Sequence, residues 1–302
     1  MRWVTFFPKF ERVHLTKDVG LIPYYVGLAG HDSMLLGRSN DDLEIPEEVS
    51  GLKVELLEDK GEKFFLDRAF VSWLRKNALK IDVLHLFHLS RDTIIYGRYY
   101  KRFNPKGTLY LKMDAYNEHL LFRKRYSKNP IKNFYFKRVE KRFFTTLNHA
   151  SIENRDGLKL ASLIYPEMRE KIGYLPNGVN DQFLKNDFDQ PEIQEPIVLS
   201  VGRLGSADKN YELFLTAVPK LLELNCRFVI VGPISEEFQK KIDQVLRLHP
   251  EAKEKITFTG SISDRKKLYE LFAKSSVFFL PSRFESFGIA LTEALYFGSC
   301  LV

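Results

Sequence analysis

Apolar residues recur along this chain in two alternating patterns, short continuous runs and stretches with helical spacing. Runs such as residues 3–7 and 83–87 predict buried strands, and stretches such as 17–29 and 92–103 predict helices between them. Strands that alternate with helices indicate a parallel sheet covered on both faces. We therefore predict a first α/β domain over residues 1–176. Its other predicted elements are strands 33–36, 52–57, 108–113, 146–152 and 171–175 and helices 62–79 and 130–144.

The same alternation resumes in the last third of the chain. Between the two regions, the turn-forming cluster from Pro176 to Asn180 is followed by acidic and polar residues with Pro191 and Pro196. We therefore predict a linker over residues 177–196 and a second doubly wound domain over 197–302. Its predicted elements are strands 197–201, 227–231, 256–259 and 277–280 and helices 210–223, 238–248 and 265–274.

The most informative stretch runs from Pro281 to Gly298, directly after the predicted strand 277–280. Helical spacing begins near Phe287, and Gly298 is typical of a helix end. Glu285 then lies in a tight turn and Glu293 about two turns into the helix, roughly 12 Å apart at helical rise. That separation suits two contacts along one extended ligand. The backbone N–H groups of the three residues between the turn and the helix would seat a phosphate. They are Ser286, Phe287 and Gly288.

This stretch resembles the E-x7-E signature of retaining glycosyltransferase family 4. The resemblance implies the GT-B fold, an α/β architecture of two doubly wound Rossmann-like domains that face a cleft. It also implies that Glu285 contacts the donor sugar and Glu293 the ribose of the nucleotide. The resemblance covers residues 171–302 by motif and the first 170 residues by architecture alone. Because family members continue with further strand–helix pairs, we expect the second domain to be incomplete at its C-terminus.

A second motif, Gly202-Arg203-Leu204 with Lys209, follows the first strand of the second domain. It resembles the Gly-Arg-Leu…Lys-Gly element of the same family, with Asn210 where glycine is usual. Arg203 can grip a phosphate with two hydrogen bonds, and Lys209 adds a second positive charge. A basic pair exposed at the surface is the alternative interpretation. The presence of the Glu285 stretch later in the same chain favours a role in nucleotide binding.

The remaining motifs give less specific signals of function. Gly260 and Ser261 follow a predicted strand, where the family lines the nucleotide base with backbone atoms, although an ordinary turn explains them equally well. The sequence Asp187-Phe188-Asp189 matches the Asp-x-Asp of metal-dependent glycosyltransferases, but it lies in the predicted linker rather than at a strand end. His85 and His88 would point to opposite faces of a strand. We therefore expect no metal site and no cofactor.

Acceptor contacts are expected at strand ends of the first domain, where ligands gather in open α/β sheets. These ends hold the loop 8–17, with His14 and Lys17, and the segment 112–114. Asp114 is the preferred candidate for a polar contact near the reacting centre, and an Asp that caps the strand end is the alternative. Family members often carry a Gly-Gly pair in the first loop and a His near the second strand end. This chain has neither.

Composition narrows the class of protein. The 302 residues are 44% hydrophobic and 28% charged, with no apolar stretch near the roughly 20 residues that span a bilayer. Cys226 and Cys300 lie in apolar runs, so we expect buried free thiols in a reducing cytoplasm. The net charge of +7 favours an anionic partner. Basic and aromatic residues concentrate between Arg98 and Arg142, which is typical either of a face for an anionic membrane or of an ordinary solvated helix face.

These observations predict a retaining, metal-independent glycosyltransferase of the cytoplasm, either free there or peripheral at the inner face of the plasma membrane. Its expected partners are a nucleotide diphosphate sugar donor and a glycan or lipid-linked acceptor of a surface-polysaccharide pathway. A sugar-nucleotide 2-epimerase of the same fold is one alternative, because it binds the same donor. A basic nucleic-acid-binding protein is a weaker alternative, since no RNA-recognition or helix-turn-helix signature is present. We therefore expect no nucleic-acid partner.

Overall fold

The computed structural model describes residues 1–38, 43–58, 68–113, 129–187 and 195–302. The chain divides into two compact units, Met1–Asn177 and Gly178–Val302.

The first unit is built on a parallel sheet of seven strands in the order β3-β2-β1-β4-β5-β6-β7. The strands are β1 Arg2–Phe7, β2 Asp32–Gly37, β3 Val54–Leu56, β4 Val83–Phe87, β5 Thr108–Met113, β6 His149–Ile152 and β7 Ile172–Tyr174. The helices are α1 Arg12–Leu15, α2 Asp18–Leu28, α3 Arg68–Asn77, α4 Arg91–Phe103, α5 Pro130–Thr146 and α6 Arg155–Ile164. Strand β4 is buried over its whole length, as expected for the centre of a sheet covered on both faces.

The second unit holds a parallel sheet of five strands in the order β10-β9-β8-β11-β12. The strands are β8 Glu195–Val201, β9 Arg227–Val231, β10 Ile256–Gly260, β11 Ser275–Phe278 and β12 Cys300–Leu301. The helices are α7 Asp181–Asp187, α8 Tyr211–Leu221, α9 Glu236–Leu248, α10 Ala252–Lys255, α11 Arg265–Lys274 and α12 Ile289–Tyr296. One buried cluster includes Leu199, Phe272 and Phe278, and another includes Tyr211 and Ile230. The predicted α/β class is confirmed.

The structure differs from the sequence-based prediction at several places. Helix α5 continues to Thr146, so the strand predicted from residue 146 begins only at His149. Helix α6 was not predicted. Helix α7 occupies part of the predicted linker, because Phe183 and Leu184 are buried in the second unit despite their polar neighbours.

The prediction for the cysteines was wrong for one of the two. Cys226 is half-buried, whereas Cys300 is exposed. Cys300 lies in β12, which pairs with β11.

Among the described residues, no helix has both the length and the apolar character needed to cross a lipid bilayer.

Candidate functional site

The predicted donor-binding residues lie at or beyond the carboxyl ends of parallel strands of one sheet in the second unit. Gly202 follows β8, Gly260 ends β10, and the turn with Glu285 follows β11. Since the strand order is β10-β9-β8-β11, these ends share one edge of the sheet. Such an edge is where open α/β sheets bind ligands.

Two loops at this edge are joined by hydrogen bonds. The backbone N–H of Arg283 donates to the carbonyl of Asp208 at 2.8 Å, and the Asn210 side chain donates to the carbonyl of Pro281 at 3.2 Å. As a result, Lys209 and Glu285, which are 76 residues apart in sequence, form an ion pair. Both side chains remain partly accessible. The structure therefore brings together the cation of one predicted motif and the first carboxylate of the other.

The backbone of the first loop explains two of its residues. A Cβ built on Gly232 would overlap the carbonyl oxygen of Gly202, so the ends of β8 and β9 approach too closely for a larger residue. Asn210 adopts a left-handed conformation with φ of 53°. Asparagine tolerates that region better than most residues, which makes it a compatible replacement for glycine. Gly232 was missed by the sequence reasoning, although a glycine directly after an apolar strand is a recognisable signal.

Tyr211 contacts this loop, and it is a second residue that the sequence reasoning missed. It is fully buried, and its hydroxyl lies 2.9 Å from Ser200 Oγ. Burial raises the pKa of Tyr211 to about 12; the Ser200 hydrogen bond opposes this shift and the Glu285 charge adds to it. The phenol therefore stays neutral at physiological pH. A Cβ on Gly202 would stand 2.7 Å from the Tyr211 hydroxyl, so both residues fix the path of the loop.

Arg203 projects from the same loop into solvent. Its guanidinium lies 3.1 Å from the Asp208 carboxylate. Burial alone would raise the pKa of Asp208, but hydrogen bonds from Ser206 and its own backbone, together with Arg203, lower it below its usual value. An exposed guanidinium held by one carboxylate remains available to an incoming anion.

The turn after Glu285 prepares the start of α12. Gly288 is the N-cap, with φ of 77°, and the helix begins at Ile289. Ser286 and Phe287 therefore precede the helix. The helix starts one or two residues later than the apolar spacing predicted. The first N–H groups of a helix have no partner within it, so this end of α12 offers donors to an anion.

Glu293 lies inside α12 and is only 6% exposed. It forms an ion pair with Arg265, the first residue of α11, and the same guanidinium donates to the Tyr269 hydroxyl. Burial alone would lower the pKa of Arg265, but Glu293 and Tyr269 raise it above its ordinary value. Glu293 is thus a buried carboxylate with a fixed positive partner, and sequence reasoning missed that partner.

The predicted base-contacting turn is at the far side of the same edge. Gly260 has φ of 71°, and its carbonyl accepts a hydrogen bond of 2.9 Å from the Gly232 N–H. Ser261 is exposed. Their backbone positions are consistent with either of the two interpretations given above.

The predicted acceptor residues lie in the first unit. His14 is in the short helix α1, where its Nδ1 accepts from the backbone N–H of Glu11 at 2.9 Å. Burial, and next the neighbouring Lys17, lower the pKa of His14. Lys17 is the N-cap residue of α2. Asp114 lies outside the described residues.

Lys112, in the same predicted segment, is not exposed to a ligand. Its side chain is 1% exposed and lies 3.3 Å from Asp18 and 3.7 Å from Glu153. Asn177 donates to Glu153 at 2.6 Å. These residues form a buried ionic network, so the expectation that Lys112 belongs to an accessible strand-end site was wrong.

The two histidines of β4 have separate environments. His85 is fully buried, whereas His88 is exposed just beyond the strand, with φ of 56°. A left-handed backbone at a residue other than glycine is strained and often marks a functional position. His88 is therefore a candidate functional residue, although the sequence analysis considered it only as a metal ligand. Among the described residues, no group of three or more His, Cys, Asp or Glu side chains is arranged to bind a metal ion.

Comparisons with known proteins match this arrangement. Residues 183–302 match the family described as "Glycosyl transferases group 1". A probable sucrose-phosphate synthase of Thermosipho melanesiensis is 33% identical over 136 residues, which are 44% of this chain and 32% of the relative. Sulfoquinovosyl transferase SQD2 of Arabidopsis thaliana is 30% identical over 107 residues, 35% of this chain and 19% of the relative. The matches thus span about a third or less of these curated relatives.

Solved structures agree on the fold over nearly the whole chain. The catalytic domain of starch synthase IV from Arabidopsis thaliana, bound to ADP and acarbose, superposes with a TM-score of 0.66 at 14% identity, covering 99% of this chain and 82% of that one. HepE of Anabaena, in complex with UDP and glucose, gives 0.61 at 13% identity, covering 100% and 80%. The parallel α/β fold of this chain is therefore that of these glycosyltransferase structures, and the match to glycosyl transferases group 1 lies within the second unit.

Proposed function

We propose that this protein is a retaining glycosyltransferase that moves a sugar from a nucleotide diphosphate sugar to an acceptor. The observation that carries the proposal is the Lys209–Glu285 pair at the ligand-binding edge of the second sheet. It joins a cation suited to a phosphate with a carboxylate suited to sugar hydroxyls, beside the N-terminus of α12, a helix end that favours anions. Relatives in this fold are described in complex with UDP and glucose or with ADP and acarbose.

The donor would extend along the edge of the sheet. Arg203, Lys209 and the first turn of α12 would hold the diphosphate, Glu285 the sugar, and Glu293 the ribose. Gly260 and Ser261 would line the base. Negative charge grows on the diphosphate as it leaves, so fixed cations beside it stabilise the transition state more than the ground state. These protein groups provide the positive field in our proposal, which requires no metal ion and no cofactor.

Retention follows in this proposal from attack on the face that the diphosphate leaves. The bond from the anomeric carbon to the phosphate oxygen breaks, and the bond to the acceptor oxygen forms on the same side. The acceptor proton passes to an oxygen of the departing phosphate. Glu285 would orient the sugar and stabilise the positive charge that develops on the ring.

The donor assignment is tested by comparing Glu285→Gln with Glu293→Gln. Binding of UDP-, GDP-, dTDP- and ADP-sugars is first measured by calorimetry to find the donor. We expect Glu285→Gln to reduce transfer far more than affinity for the free nucleoside diphosphate. We expect Glu293→Gln to reduce that affinity, because a hydrogen bond to a charged acceptor is worth about 1.5–3 kcal/mol. Glu270→Gln, an exposed change on α11, is the matched control.

Equal losses of transfer and affinity in both variants would contradict the assignment. An epimerised donor without any glycosylated product would instead identify a sugar-nucleotide 2-epimerase.

The acceptor side of the proposal concerns helix α5. Ile131, Phe134 and Tyr135 are 78%, 70% and 61% exposed. They share one side of the first turns of the helix by spacing, whereas Val139 and Phe143, further along it, are buried. Exposed apolar groups clustered in this way mark interaction surfaces.

The charge of α5 favours an anionic membrane as the occupant. The helix contains five basic residues and one acidic residue. Each basic side chain near an anionic bilayer contributes about 1 kcal/mol, and aromatic rings settle at the headgroup level. We propose that this face holds the enzyme at the cytoplasmic leaflet, where a lipid-linked acceptor of a polysaccharide pathway would lie.

Sedimentation with vesicles tests this proposal. Wild-type protein should bind vesicles of phosphatidylserine and phosphatidylcholine, and salt should weaken the binding. Changing Ile131, Phe134 and Tyr135 to Ser together should reduce it at least about tenfold. A matched control changes three exposed leucines of the second unit, Leu213, Leu224 and Leu248, to Ser. Equal recovery in the supernatant with anionic and neutral vesicles would refute membrane binding. The basic run Arg123–Arg125, also part of the predicted face, lies outside the described residues.

A further inference from the structure

Arg265, which no motif indicates, connects the two helices beside the proposed nucleotide site. It begins α11, and its guanidinium reaches Glu293 in α12, 28 residues further along the chain. The guanidinium carbon also lies 4.4 Å from the centre of the Tyr269 ring, whose hydroxyl accepts a hydrogen bond from Arg265. Tyr269 is 3% exposed. Arg265 is therefore fixed on one side by an aromatic ring and on the other by a carboxylate.

The contact occupies one oxygen of Glu293. Arg265 Nη2 donates to Oε1. No hydrogen bond to Oε2 is found within the described parts of the chain, and Oε2 is not among their buried polar atoms that lack a partner. The carboxylate is thus held at one oxygen and keeps the other for a ligand. An acceptor of this kind, fixed before binding, suits a hydroxyl group and loses little entropy when it binds one.

We infer that Arg265 is a positioning residue that makes the nucleotide site selective for the ribose hydroxyls. This inference rests on the proposed function, because it assumes that Glu293 faces the ribose. A buried carboxylate that loses its cation also loses the contact that fixes its orientation. The selectivity for ribose should then disappear even though Glu293 is still present.

Calorimetry with UDP and ADP and with their 2′-deoxy and 3′-deoxy analogues tests this role. Wild-type protein should prefer the ribonucleotide of its favoured base over at least one deoxy analogue by about tenfold or more. Arg265→Met should reduce this preference to about threefold or less, and Arg265→Lys, which keeps a cation for Glu293 but not the planar guanidinium, should restore part of it. Lys274→Met, an exposed change at the other end of α11, should behave as wild type. Selective loss of ribose preference, with rescue by Lys, is not expected from a merely structural contact.

The results separate this inference from the proposed function. Retention of the full ribose preference in Arg265→Met would overturn the inference. Wild-type protein that binds nucleotides without any ribose preference would also overturn it, while leaving the proposed function in place. Absence of nucleotide binding by the wild type would remove the proposed function itself.

A second variant covers the case in which Arg265→Met does not fold. Arg265→Gln keeps Glu293 intact and removes the positive charge, but leaves an amide that can donate to the buried carboxylate. A folded Arg265→Gln variant without ribose preference would support the inference. The same variant with wild-type preference would overturn it.

Discussion

Replacing His85 should change how the stability of the first unit depends on pH. His85 has no exposed surface, and its Nδ1 lies 3.1 Å from Thr5 Oγ1. Its ring stacks on Tyr110 at 4.7 Å. Burial, and next the charge of Lys112, lower the pKa of His85 from 6.5 to about 3. The folded first unit therefore holds this imidazole neutral at a pH where the unfolded chain protonates it.

The sign and size of the effect follow from this shift. Between about pH 6.5 and pH 3 the unfolded state binds more protons, so stability falls as the pH falls. The contribution is complete above pH 6.5 and is lost progressively down to the folded pKa. At about 1.4 kcal/mol per pH unit, the loss between pH 6.5 and pH 4 is about 3 kcal/mol. That is a large fraction of the free energy of unfolding of an ordinary domain, which is about 5–15 kcal/mol.

Urea unfolding at about pH 7 and pH 4 measures this contribution. The chain has two tryptophans, Trp3 and Trp73, and both lie in the first unit, so their fluorescence reports on that unit. His85→Phe keeps an aromatic ring in the stack but cannot be protonated. Its stability relative to wild type should improve by about 3 kcal/mol from the higher to the lower pH. Contributions from carboxylates common to both proteins cancel in this comparison.

The matched control is His149→Phe, an exposed histidine of the same unit, which should leave the pH dependence of stability as in wild type. A His85→Phe difference that stays the same at both pH values, within about 0.5 kcal/mol, would refute the reasoning.

Other outcomes follow from the second unit. Lys209→Met and Arg203→Met should each weaken nucleoside diphosphate binding by about 1.5–3 kcal/mol in calorimetry, and unchanged affinity would exclude them from the site. Gly232→Ala should lower the unfolding midpoint of the second unit, because its Cβ would overlap the Gly202 carbonyl; an unchanged midpoint would show that the loops move apart easily. EDTA should leave glycosyl transfer intact. Loss of activity that manganese or magnesium restores would contradict this expectation and support a metal site in the segment containing Asp187.

Several features of this protein were predictable from local patterns. Strands β4 and β5 and helix α11 have the bounds that the apolar runs predicted, because a buried parallel strand and an amphipathic helix each leave a clear period in the sequence. The strand–turn–helix around Glu285 and Glu293 was predicted for the same reason, with an error of one or two residues at the helix start.

Burial was harder to predict where local composition pointed the other way. Lys112 lies near the end of an apolar strand, in a segment predicted to meet a ligand, yet it is buried between Asp18 and Glu153. Phe183 lies in a polar segment that the sequence predicts as a linker, yet it packs in a core. In each case the deciding partners are remote in sequence.

The amino-acid sequence by itself determined the alternation of elements and the presence of two carboxylates in one turn and helix. Only the tertiary structure decided their partners, Lys209 for Glu285 and Arg265 for Glu293. Those pairings depend on β11 lying next to β8 and on α11 packing against α12. Periodicity records which face of an element is apolar, whereas the order of strands arises from the packing of the whole unit, so side chains 76 residues apart meet for reasons that no local pattern contains.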